Sequence, residues 1–414
     1  MDYQATVAWL EAVPLYGKKD GLSGIKRLLD LLGRPQDQLR FIHVAGTNGK
    51  GSCCAMLSQI LRENGYRVGL YTSPHLVAYT ERIQIDGRPV VEEIWARLGQ
   101  KVKETAESMQ AAGENHPTFF ELITAMAMFY FAEEKVDIVV LETGVGGRLD
   151  ATNVISHPEL CLITSISLDH TKVLGSSLPE IAKEKAGILK ENVPVVLAEN
   201  PSDVALVVKE QADKLNCSFF QVDTEAALIK NPDALAALAL SGDYQRKNLA
   251  AVITAIELLE QAGWQLQREN ILEGLRKVQW PGRMEEGYFS GKPLLLDGAH
   301  NPAGAEALAA YLTAHYKPGS CTLVFAALGK KDIAGVLIPL RECPAIGRAV
   351  FTTLEGEDNR GYFEAVWMNK EQDRKCFQAE SPEAALQKAA SLPETEQIVG
   401  AGSLYLVGEI KTIL

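Results

Sequence analysis

One run constrains this chain more than any other: Gly46-Thr47-Asn48-Gly49-Lys50-Gly51-Ser52. An apolar stretch, Phe41-Ile42-His43-Val44, precedes it, and a helical pattern, Cys54-Ala55-Met56-Leu57 through Arg62, follows it. Strand, glycine loop and helix in that order present backbone N–H groups and a helix N-terminus to an anion. The lysine adds a charge that reaches the terminal phosphates of a nucleotide. The spacing departs from the usual G-x-x-x-x-G-K-[ST], which would put glycine at Val44 and a hydroxyl at Gly51; here the glycine is Gly46 and the hydroxyl is delayed to Ser52. A plain strand-to-helix turn is the competing reading. The flanking patterns weigh against it and imply an ATP-using enzyme.

The remaining strands share this logic. Short β-branched runs at Phe41–Val44, Val68–Tyr71, Ile138–Leu141, Leu160–Ser165 and Val193–Leu197 alternate with helical patterns near Cys54–Asn64, Glu121–Glu134 and Pro179–Leu189. That predicts a parallel sheet with helices on both faces, whose ligands bind at the carboxyl ends of the strands. A second alternation follows Trp280-Pro281-Gly282-Arg283. Its strands are expected at Leu294–Leu296, Thr322–Ala326, Arg348–Thr352 and Gln397–Val399, and its helices at Pro302–Ala314, Ile333–Leu340, Pro382–Ser391 and Tyr405–Ile413. A chain of 414 residues fits two domains. We place the boundary near residue 280, giving 1–279 and 280–414.

Composition narrows the function. Hydrophobic residues at 47% and charged residues at 23% are ordinary for a globular chain. A net charge of −12 lacks the basic footprint of a nucleic-acid binder. The seven cysteines form no C-x-x-C pair, so neither a zinc site nor a disulfide framework is expected. Buried thiols in a reducing cytoplasm fit instead. The N-terminus shows no signal-peptide pattern, and apolar runs such as Ile138–Leu141 are too short to span a bilayer.

The polar residues after each predicted strand are the candidates for chemistry. Thr72-Ser73-Pro74-His75-Leu76 reads equally as a serine–proline turn or as a loop over phosphates with Ser73 facing a metal. Glu142 ends an apolar strand, an arrangement that suits Mg²⁺. The glycines of Gly144-Val145-Gly146-Gly147 allow close backbone approach, and Arg148 offers a planar fork for an anion. His170, at another strand end, could ligate a metal. Charged residues around Lys185 read from composition as a solvated helix face. Asp297 and His300 follow a strand of the second unit, where Asn301 and Pro302 suit a helix start.

As an ordered set, these runs resemble the folylpolyglutamate synthase and dihydrofolate synthase family of Mur ligases. The resemblance also rests on Tyr79-Thr80-Glu81-Arg82, Phe120-Glu121, Asp169-His170-Thr171, Glu184–Ile188, Pro281-Gly282-Arg283 and Gly402-Ser403-Leu404-Tyr405. It implies a P-loop ATPase domain followed by a smaller Rossmann-like α/β glutamate ligase domain. It implies a monomeric cytoplasmic amide ligase joining L-glutamate to a reduced folate or dihydropteroate through an acyl phosphate, with no nucleic acid or membrane partner. Carried over, Asn48, Gly49, Lys50, Gly51 and Ser52 hold ATP phosphates, and Asn248, Arg283 and Asp297 contact ATP. Ser73, Glu142 and His170 match magnesium ligands for a two-ion site. Lys185 matches a carbamylated lysine, which overturns the composition reading. Phe120, Glu121 and Arg148 fall to the substrate, and His300 to glutamate or the transferred phosphoryl group. Lys50, Lys185, Asp297 and His300 form the catalytic set.

Three departures stand out. Gly21-Leu22-Ser23-Gly24 has glycine where an arginine is common, Lys330-Lys331-Asp332 replaces an Asp-Lys-Asp run, and the delayed Ser52 is placed to contact phosphate more than metal. The nearest rival is a peptidoglycan-precursor Mur ligase, which would carry an extra N-terminal domain; the phosphate loop starts only about forty residues in. A nucleotide switch without ligase chemistry is a rival of another class.

Overall fold

The computed structural model describes residues 1–14, 21–329, 332–368 and 375–414. Backbone contacts divide the chain into two compact units. The first holds Met1–Ser167, Thr171–Ala239 and Arg246–Val278; the second holds Leu168–His170, Leu240–Gln245 and Gln279–Leu414.

The first unit is built on eight strands among the described residues: β1 (Phe41–Ala45), β2 (Val68–Tyr71), β3 (Ile83–Ile85), β4 (Arg88–Pro89), β5 (Ile138–Glu142), β6 (Leu160–Ile163), β7 (Val195–Leu197) and β8 (Phe219–Gln221). Their order is β4-β3-β2-β5-β1-β6-β7-β8. From β2 to β8 every pairing is parallel. β3 and β4 add an antiparallel edge, so the all-parallel expectation gives way to a mixed sheet, as is common at the edge of large parallel sheets. The central strands are buried throughout because helices cover both faces. Each fully buried Ile, Leu or Val of such a strand contributes about 1.5–3 kcal/mol. One core gathers Trp95, Leu122, Phe131 and Leu141; another gathers Ile163, Ile181, Val195 and Val208.

Register positions the loops. Val44 pairs with Glu142, Ala45 with Ile163, and Tyr71 with Leu141. The carboxyl ends of β2, β5, β1 and β6 therefore finish level, and the loops after them emerge along one sheet edge.

The second unit has six described strands, β9 (Glu285–Phe289), β10 (Lys292–Leu296), β11 (Cys321–Phe325), β12 (Ile346–Phe351), β13 (Lys375–Gln378) and β14 (Gln397–Ala401), in the order β13-β12-β11-β14-β10-β9. Only β9 runs antiparallel to its neighbour. Phe325, Phe351, Phe363 and Trp367 pack ring on ring in its core. Lys330 and Lys331 lie outside the described residues. Asp332 caps the helix Ile333–Glu342 by accepting from the Gly335 N–H. No helix among the described residues is long and apolar enough to cross a membrane.

A histidine sits in the middle of the first sheet. His43, on β1, is fully buried, and its Nε2 lies 2.9 Å from Thr152 Oγ1. The Thr152 hydroxyl donates to Asp150 Oδ1 at 2.5 Å. Its one proton is thus committed, so His43 Nε2 carries the hydrogen and donates to Thr152. Burial, with the Lys190 charge adding to it, lowers the His43 pKa to about 3. Between that value and the ordinary 6.5 the unfolded chain binds a proton that the native fold refuses, so stability rises with pH. His43→Gln should flatten the pH dependence of unfolding free energy between pH 6 and 4 by about 1.4 kcal/mol per unit. Chemical denaturation at a series of pH values measures it.

Candidate active site

The phosphate loop is built by backbone chemistry. Gly49 takes φ +88° and serves as the N-cap of the helix Lys50–Glu63, bringing no side-chain acceptor to the first turn. A helix start without such a cap offers its first N–H groups to an anion. A Cβ on Gly49 would lie 2.2 Å from Asn248 Oδ1. The same glycine therefore seats Asn248 directly against the loop.

The rest of the loop is stitched to the segment after β6. Thr47 N–H and Asn48 N–H donate to the Ser165 carbonyl, at 2.8 and 3.3 Å. The Thr164 and Ser165 hydroxyls donate to the Asn48 carbonyl, at 2.7 and 3.2 Å. Thr47 Oγ1 donates to the Ser167 carbonyl and accepts from its N–H. Sequence reasoning missed Thr164, Ser165 and Ser167 as loop supports.

Charged side chains converge on this loop. Lys50 Nζ donates to the Thr47 carbonyl at 3.1 Å and lies 3.9 Å from Glu142 Oε1. Glu142, buried at the end of β5, accepts from the Ser73 N–H at 3.2 Å through Oε2. Burial first, and the Glu142 carboxylate next, push the neighbouring Cys53 and Cys54 thiols well up. Lys185 is only 3% exposed, and its Nζ donates to the Gly46 carbonyl at 2.6 Å. The helix face read as solvated is thus split: Lys183 is exposed and Lys185 is buried.

Three residues expected at the substrate have structural work as well. Glu121 accepts from Thr118 N–H, Thr118 Oγ1 and Ile25 N–H. It closes a capping box and holds the start of the helix Ser23–Leu31. Phe120 packs beside Tyr71 and against Gly144. Arg148 gives two N–H groups to Glu184 Oε1, at 3.2 and 3.0 Å.

The second unit holds its own cluster. Asp297 is buried and accepts from Met284 N–H, Ala299 N–H and the Tyr244 hydroxyl, at 3.0, 2.8 and 3.3 Å. Burial pushes its carboxyl up, and Arg283 opposes that shift. His300 donates from Nδ1 to the Gly298 carbonyl at 2.8 Å, and its Nε2 lies 3.7 Å from Asp169 Oδ2. Asn301 caps the helix Pro302–His315 through Oδ1 and donates through Nδ2 to Asp169. Burial raises the Asp169 carboxyl, but His300, His170 and Asn301 outweigh it and hold it well below its ordinary value. His170 belongs to this second unit, whereas Ser73 and Glu142 belong to the first. No group of three His, Cys, Asp or Glu side chains that could hold a metal occurs among the described residues.

Residues 44–256 match the family model of the Mur ligase middle domain, and residues 289–413 match that of the dihydrofolate synthetase C-terminal domain. The Bacillus subtilis dihydrofolate synthase/folylpolyglutamate synthase is 36% identical, over 99% of this chain and 98% of its own length. The chain belongs to the folylpolyglutamate and dihydrofolate synthase family of Mur ligases. The Saccharomyces cerevisiae dihydrofolate synthetase, a member of similar kinship, is 35% identical over 95% of this chain and 97% of its own. The Mycobacterium tuberculosis folylpolyglutamate synthase, solved in complex with ADP and AMPPCP, superposes with a TM-score of 0.86 at 29% identity, covering 100% of this chain and 99% of that one. The expected fold class and ligase family therefore hold.

In this family member the Gly49 geometry is a direct test of the loop. Gly49→Ala forces a β-carbon into a left-handed conformation and into Asn248. Isothermal titration with a non-hydrolysable ATP analogue should show affinity at least about tenfold weaker, a loss near 1.4 kcal/mol. Gly65→Ala, at φ +86° with open space around its Cβ, should leave that affinity unchanged.

Proposed function

We propose that this ligase couples ATP cleavage to amide formation between L-glutamate and the carboxylate of a pterin-containing acid, a reduced folate or dihydropteroate. The observation that carries it is the Lys50–Glu142 pair at the mouth of a helix N-terminus, supported by the family's shared length and sequence. Phosphoryl transfer from ATP to a carboxylate brings two anions together. The loop N–H groups and Lys50 would neutralise that charge where it develops. The acyl phosphate formed would then be attacked by the amino group of glutamate, releasing phosphate. We assign the segment 1–279 to ATP and the segment 280–414 to glutamate. Asn248, Arg283 and Asp297 are assigned to ATP, and His300 to the glutamate end.

The residues present fit magnesium. Mg²⁺ usually takes one or two protein carboxylates and fills its shell with phosphate and water oxygens. Glu142, with Ser73 on its carboxylate, meets that need, and His170 is the further ligand we assign. The ion when bound supplies charge neutralisation on the phosphates. A carbamate on Lys185 would add an oxygen ligand beside the phosphate loop. We infer a monomer in the cytoplasm, consistent with seven free cysteines among the described residues.

Relatives at 36% and 35% identity bear both activity names, so the acceptor is decided by assay. Phosphate release from Mg-ATP should require glutamate together with dihydropteroate or tetrahydrofolate. Turnover with both makes the enzyme bifunctional; turnover with neither, in protein that binds ATP, contradicts the proposal and favours another Mur-type ligase. Lys50→Ala should abolish release. Glu142→Ala should lower it about 10- to 100-fold, with partial recovery at high Mg²⁺.

A further inference from the structure

We propose that Asn153 is a positioning residue for Lys185, acting as a clamp between the glycine loop after β5 and the end of the lysine-bearing helix. Its side-chain amide donates two hydrogen bonds, to the Arg148 carbonyl and to the Gly187 carbonyl, each at 3.0 Å. The first belongs to the loop that starts at Glu142. The second lies immediately past the helix Leu178–Ala186.

The reason such a clamp is needed is local. The last carbonyls of a helix have no partner within it. Here the Glu184 carbonyl accepts from the Gly187 N–H at 3.3 Å and, across to the glycine loop, from the Arg148 N–H at 2.8 Å, while Asn153 reaches the Gly187 carbonyl just past the helix. The two backbones touch closely enough to exclude side chains. A Cβ on Gly147 would lie 2.8 Å from the Lys185 carbonyl, and one on Gly187 would lie 2.3 Å from Arg148 Cβ. Asn153 is itself buried, and Lys190 Nζ ties down its carbonyl at 3.2 Å. Asn153 thus joins the Arg148–Glu184 bonds in setting the distance between the Glu142 loop and the helix end that aims Lys185 at Gly46.

This inference rests on the reading that Lys185 serves the phosphate loop. Asn153→Asp keeps the side-chain shape, removes both donors and sets a carboxylate against two carbonyls. In Asn153→Asp folded by circular dichroism, Lys185 should react with an amine-acylating reagent at least about fivefold faster, because local opening exposes it. Peptide mass spectrometry reads this, with exposed Lys183 as internal reference. Its kcat should fall about 10- to 100-fold while KM for ATP stays within about threefold. Asn153→Ser keeps one donor, should fall between, and carries the test if the aspartate variant does not fold. Lys185 labelling within twofold of wild type in a folded variant overturns the proposal, whatever kcat does. Full turnover by Lys185→Ala would instead sink the reading of Lys185, and labelling of Lys185 in Asn153→Asp would still report on the clamp without any turnover.

Discussion

A buried lysine nitrogen needs a polar partner, and in this chain one pairing organises the site: Lys185 Nζ against the Gly46 carbonyl. It ties a helix that begins at residue 178 to the first glycine of a loop that ends β1. The helix in turn needs its last carbonyls satisfied, and the loop after β5 does that through Arg148 and Asn153. That loop begins at Glu142, whose carboxylate faces Lys50 and Ser73. Each of these groups is thus held by its neighbours, so the first unit carries a preformed cluster of charged side chains around the glycine loop.

The sheet makes this economical. Four parallel strands end level, and Lys50 and Glu142 stand at or just beyond their carboxyl ends. The order β2-β5-β1-β6 places β1 between strands reached in opposite directions, which is where open α/β sheets bind ligands. The second unit repeats the principle, with Asp297, His300 and Asn301 following β10 and gathered by hydrogen bonds to backbone and to Asp169.

How much of this was legible in the sequence depends on range. The central strands and their end loops were readable, because buried parallel strands are continuous apolar runs. Boundaries shifted where polarity misled: the helix after the phosphate loop begins at Lys50 rather than Cys54, since its first turn is spent on glycine and charge. The hairpin of β3 and β4, and the strands β8 and β9, were too short or too polar to stand out. The helix Glu92–Ala111 does carry an apolar stripe at Trp95, Leu98, Val102, Ala106 and Met109, and that signal was there to be read. The stitching of Thr47 and Asn48 to Thr164–Ser167 spans well over a hundred residues, and no local pattern announces it. Lys185 shows both limits. Its neighbours gave it the look of a solvated face, the family resemblance singled it out, and only packing shows it buried.

The central claim is that the ligase activates a carboxylate as an acyl phosphate. Oxygen-18 in the acceptor's carboxylate tests it most directly, with the released phosphate read by mass spectrometry. The account predicts one labelled oxygen in each phosphate released, because the bond broken by glutamate leaves a carboxylate oxygen on phosphorus. Phosphate released without label, while amide product accumulates, would contradict it.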